Sequence, residues 1–104
     1  MDGAVNPYLG QAGLLAAGLD GIENKRDPGG PLHLNMYEEG DQAGDVKRLP
    51  ETLIDALRRL ERNTELKAGL GEELVQAYLK LKTQEWQSYT AHLSEWERQN
   101  TLDV

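Results

Sequence analysis

Small apolar residues dominate the first quarter of the chain. Leu9, Ala12, Leu15, Ala16, Leu19 and Ile22 recur at three- and four-residue steps, and Gly10, Gly13, Ala17, Gly18 and Gly21 fill most of the positions between them. This spacing predicts a helix over 6–26, opened by Asn6 as an N-cap and by Pro7 in the first turn, where a missing N–H costs nothing. Each of the four glycines costs a helix about 0.8–1 kcal/mol relative to alanine. Such a helix is shaped to have other backbone close by, inside a larger protein. Leu15 is then expected on a buried face, where an introduced aspartate would be an unpaired buried charge that unfolds or dissociates the protein.

The pattern collapses over 27–49 into DPGGP, LHLNMY and the acidic EEGDQAGD, the composition of a long irregular loop. Leu32, Leu34 and Met36 alternate as a short extended piece would. Helical periodicity returns over 52–62, with Thr52 as the cap, Asp55 in the first turn, and Leu53, Ile54, Leu57 and Leu60 opposite Arg58, Arg59 and Arg62. Residues 63–71 form a break with a short turn through Thr64–Ala68. From 72 to 98 a single long helix of about 40 Å is predicted. Val75, Tyr78, Leu79, Trp86, Tyr89, Leu93 and Trp96 mark its buried edge, and the steps from Trp86 onward resemble a coiled-coil seam interrupted upstream by Lys82. The expected fold is all-α, a single helical subdomain over 1–104 with three main helices and one long irregular loop.

Length and charge narrow the class. A chain of 104 residues supports one modest core. No cysteine is present, so neither a disulfide framework nor a thiolate metal site is available, and a reducing compartment, the cytoplasm, is the expectation. The longest apolar stretch, Leu14–Leu19, is far short of the roughly 20 residues of a membrane span. The opening MDGAVNPY lacks the basic region of a signal peptide. The net charge is −7, with nine acids against four bases in residues 1–51 and nine against seven in 52–104. This balance argues against nucleic acid and anionic membranes as partners.

Candidate chemistry is sparse. His33 and His92 are the two histidines, too few and too far apart for a metal site of ordinary spacing. Glu38, Glu39, Asp41 and Asp45 lack the alternation of a calcium loop, and the glycines at 10, 13, 18 and 21 do not follow a strand as a phosphate-binding loop requires. Lys47, Arg48, Arg58, Arg59 and Arg62 read as a solvated or ion-paired face. Ser88 and Ser94 have no apparent base or oxyanion donor. Trp86, Tyr89, Leu93 and Trp96 are either core or an association surface.

The order NPYL, LLAAGLDGI, NK and a DPG turn, followed by LP, ALRRLE and GEELVQAYLKLKTQEW, resembles the C-terminal part of the glutamine synthetase family over essentially the whole chain. The ending WERQNTLDV is similar to the branch that includes type III glutamine synthetases and γ-glutamylmethylamide synthetases. The resemblance implies a C-terminal helical subdomain of a larger α+β catalytic domain. The parent would be a ligase of nitrogen metabolism that uses ATP and Mg or Mn to join glutamate to ammonia or a small amine. In that family the metal ligands, ATP contacts and glutamate-binding arginines precede NPYL. The expectations are therefore no catalytic, cofactor or metal residue here, a start at Met1 that marks a truncation, and the rest of the catalytic domain and neighbouring subunits as partners. The resemblance also carries over one residue, Tyr37, to the tyrosine that some bacterial members adenylylate in an NLYDLP-like loop, although Glu38, Glu39 and Gly40 depart from that pattern. The alternative from another functional class is a stand-alone helical interaction module that forms a homo-oligomer through the aromatic stripe.

Overall fold

Backbone donors at most helix starts find a side-chain acceptor; α5, which begins after Gly71, is the exception among the α-helices. In the computed structural model, which describes residues 2–101, Asn6 Oδ1 accepts from the backbone N–H groups of Tyr8 (3.0 Å) and Leu9 (3.2 Å). This opens helix α1, Pro7–Glu23. Asn35 caps the short α2, Met36–Glu39, by accepting from Tyr37 N–H, and a 3-10 turn, Gly40–Ala43, follows. Thr52 Oγ1 accepts from Asp55 N–H at 3.3 Å and donates to the Asp55 carboxylate at 2.9 Å, which sets the start of α3, Leu53–Arg62. Asn63 caps α4, Thr64–Leu70, and Gly71, at φ 101°, turns the chain into α5, Glu72–Ala91. A final helix, α6, spans Glu95–Thr101. The described residues contain no strand. The fold is all-α, with α1, α3 and α5 as its main helices.

The chain divides at the Pro50–Glu51 boundary into two units. In the first, no described residue is buried, and α1 packs against no other helix of its unit. The second carries the core: Leu57, Val75 and Leu79 are buried, with Leu53, Leu60, Leu70 and Tyr78 packed around them. Helix α3 lies on α5, and α4 wedges against both. The alternation of Leu53, Leu57 and Leu60 with arginines on the far face of α3 is the reason this face, and not another, turns inward.

Several sequence expectations are corrected. Helix α1 stops at Glu23 instead of 26. Asn24 is its C-cap, Lys25 adopts a left-handed φ of 49°, and the N–H groups of Lys25 and Arg26 donate to the carbonyls of Ile22 and Gly21. This is a Schellman closure with lysine where glycine is usual. The alternating piece Leu32–Met36 forms no strand, because Asn35 caps and Met36 begins α2. Residues 64–70 are a complete short helix. The long helix predicted over 72–98 ends at Ala91 and restarts at Glu95, and Leu15, expected inside, is 66% exposed.

Candidate functional surfaces

The predicted seam divides along α5. Val75 and Leu79 are buried and Tyr78 and Trp86 are half-buried, whereas Tyr89, Leu93 and Trp96 are exposed, with Trp96 at 70%. The geometric cause is that α3 and α4 pack on α5, whereas among the described residues no helix packs on α6. Trp86 and Tyr89 stack in a tilted pair with ring centroids 5.8 Å apart. Tyr89, Leu93 and Trp96 are thus three exposed apolar side chains spread across the α5–α6 break.

A groove of about 320 Å³ lies between α3 and α5. Ile54, Leu57 and Leu79 provide its apolar walls, and Arg58, Glu61 and Lys80 are among its polar lining residues. The amphipathic stripe on α3 signalled this surface in sequence, but the groove itself depends on how α3 and α5 cross, which periodicity does not encode.

Tyr37 is fully exposed in the first turn of α2. Among the described residues no three histidine, aspartate or glutamate side chains come together as a metal-holding group. His33, His92 and the acids Glu38, Glu39, Asp41 and Asp45 belong to no such group. The basic residues read as a paired face are partly so: Arg58 lies 3.6 Å from Asp55, and Arg48 lies 3.6 Å from Asp41. Exposed pairs of this kind contribute little. No helix among the described residues is long and apolar enough to cross a membrane.

Two polar constellations escaped sequence reading. At the end of α1, the Asp20 carboxylate accepts from Asn24 Nδ2 and from Arg26 Nε, both at 2.8 Å, and locks the helix exit. At the α5–α6 junction, Ser94 Oγ accepts from Glu97 N–H at 3.2 Å while the Glu97 carboxylate accepts from Ser94 N–H at 2.8 Å. The second is a capping box, and its S-x-x-E spacing was present in HLSEWE as a signal. The Ser94 backbone N–H, then the Ser94 hydroxyl, hold the Glu97 carboxyl below its ordinary value, aided by His92. The Glu85 carboxylate, 2.7 Å from Lys82 Nζ, raises the Lys82 ammonium above its ordinary value. Both groups bind solvent-facing partners within one helical turn, an arrangement that stabilises helices and has no catalytic geometry.

Comparison with known proteins agrees with this architecture. The family described as glutamine synthetase, catalytic domain, matches residues 1–101. The chain is 52% identical over 103 residues to a glutamine synthetase of Rhizobium meliloti, and 39% identical over 105 residues to a glutamate–methylamine ligase of Methyloversatilis universalis. Those alignments cover 99% and 98% of this chain but 24% of each relative. The solved structure of apo GmaS without ligand superposes with a TM-score of 0.91 at 50% identity, covering 99% of this chain and 24% of that one. The chain thus spans about a quarter of the length of the curated relatives it matches. With the family matched from residue 1 to residue 101 and the helical arrangement shared, this chain belongs to the glutamine synthetase family, within the part that forms its catalytic domain.

Proposed function

We propose that this chain is the helical C-terminal portion of an ATP-dependent ligase that joins glutamate to ammonia or a small amine such as methylamine, and that it serves the larger enzyme as structure. The observation that carries the reading is α1. It is a 17-residue helix with apolar residues on every side, and Tyr8, Leu14, Leu15 and Ile22 are each more than 60% exposed. A helix that is apolar all round belongs in an interior. Its glycines agree: a Cβ added at Gly13, Gly18 or Gly21 would meet nothing within 4 Å. Those positions leave room for a close neighbour outside this chain.

In this reading ATP, the Mg or Mn ions and the glutamate are held by polypeptide beyond these residues, and neighbouring subunits meet the chain from outside. The test is calorimetric titration of the purified chain with ATP–Mg²⁺, paired with co-expression alongside the remaining three-quarters of the Rhizobium meliloti relative. The chain alone is expected to bind no nucleotide at micromolar concentrations. Together the two pieces are expected to release phosphate in a glutamate- and amine-dependent way, and running ammonia against methylamine assigns the amine. Micromolar nucleotide binding by the chain alone would overturn the structural role.

A second reading, a self-associating helical module, is favoured by the exposure of Tyr89, Leu93 and Trp96. Sedimentation separates it: a monomer up to the highest soluble concentration removes it.

A further inference from the structure

Residues 72–101 contain neither glycine nor proline, yet the helix they build is interrupted at 92–94. Local propensity gives no reason to stop there, since His92, Leu93 and Ser94 are all tolerated in helix interiors. Two local features supply one. Thr90 Oγ1 donates back to the carbonyls of Trp86 and Gln87, both at 3.1 Å, a contact that bends helices. His92 then leaves helical geometry at ψ 119°, its N–H donating to the Tyr89 carbonyl in a tightened last turn. Ser94 and Glu97 cap each other reciprocally, and the Ser94 carbonyl accepts from Arg98 N–H at 3.0 Å as the first bond of α6.

We infer that the Ser94–Glu97 capping box is a conformational switch that holds α5 and α6 apart, and that its release lets residues 72–101 run as one continuous helix. Tertiary structure does not oppose the change, because α6 packs on no other helix of its unit. Straightening has a consequence for the surface. Trp86, Tyr89, Leu93 and Trp96 are spaced by three and four residues, so a continuous helix brings all four onto one face, whereas the break divides that stripe.

The absence of cysteine allows the distance across the break to be read directly. Spin labels introduced through Gln76→Cys and Gln99→Cys, both exposed positions, would lie about 35 Å apart along one straight helix. The full chain with an intact cap is expected to give a clearly shorter distance. Ser94→Ala is expected to move the distribution to about 35 Å with a small gain in helical circular dichroism, and Glu97→Ala, which removes the other half of the box, to do the same. Ser94→Asp, which restores a capping oxygen, is expected to return the short distance. The switch is overturned by a long distance in the parent chain, by an unchanged distance in both alanine variants, or by a broadened distribution without the long population, which would mean that α6 merely frays.

Discussion

At the scale of single residues, Glu97 and Lys25 make opposite statements about how well this chain fits its own fold. Glu97 is held below its ordinary carboxyl value by hydrogen bonds that exist only when α6 is capped. A depressed native value means that the contribution is complete above the ordinary carboxyl value of 4.5 and is lost as pH falls through the lowered one. Capping of α6 is therefore expected to be unchanged between pH 7 and 5 and to be lost in more acid solution. The chemical shifts of the Ser94 and Glu97 amides report it, and an acid limb that persists unchanged in Glu97→Gln would assign the effect to another carboxylate. Lys25 is the reverse case. It is the one non-glycine residue with positive φ among the described residues, and that conformation costs an L-residue about 1–2 kcal/mol. Lys25→Gly is expected to stabilise α1 by about 1 kcal/mol, after the extra chain entropy of glycine is subtracted. Hydrogen exchange of the Lys25 and Arg26 amides, the two donors that close the helix, gives the measurement: slower exchange in the variant is the expected result.

Among the elements, stability concentrates where α3 and α5 cross. Among the described residues three, Leu57, Val75 and Leu79, are buried, so each carries a large share of the core. Leu57→Ala is expected to cost about 2–3 kcal/mol, at the lower end of buried leucine truncations because the neighbouring groove lets the site relax. Urea unfolding followed by Trp86 fluorescence reads it, and a loss below about 0.5 kcal/mol would show that this crossing does not form in solution. Much of this scale was legible in the sequence. The Thr52–Asp55 pair and the leucine stripe placed α3 within one residue, and Asn6 and Pro7 placed the start of α1. What escaped was decided by side chains bonding to nearby backbone. The capping box at Ser94 and Glu97 interrupts a run whose apolar spacing reads as unbroken, Asn63 starts a helix in what looked like a break, and Asn24 with Asp20 ends α1 early. Periodicity reports which face is apolar. It does not report which elements are present to cover that face, so the sequence left Tyr89, Leu93 and Trp96 open between core and association surface, and the structure exposes them.

For the whole molecule the decisive asymmetry is between a unit that buries its own apolar residues and one that buries none. Leu15 exposes this difference most directly. It lies on a helix that packs against no other helix of its unit and is 66% exposed, so Leu15→Asp in the isolated chain meets water and is expected to change stability by less than about 0.5 kcal/mol. In the proposed larger enzyme the same carboxylate would be desolvated without a partner, which proteins tolerate poorly. Urea unfolding of the chain alone and co-purification with the remaining three-quarters of the relative are then expected to diverge: the first unchanged, the second abolished, with Leu15→Met preserving both. The hydrophobic effect gives the reason that two measurements on one residue can disagree, since a leucine contributes to stability only where its surface leaves water. Equal behaviour of Leu15→Asp and Leu15→Met in the co-purification would place this face in solvent in the assembled enzyme as well, and would move the search for the buried side of α1 to the face of Leu14, Ala17 and Gly21.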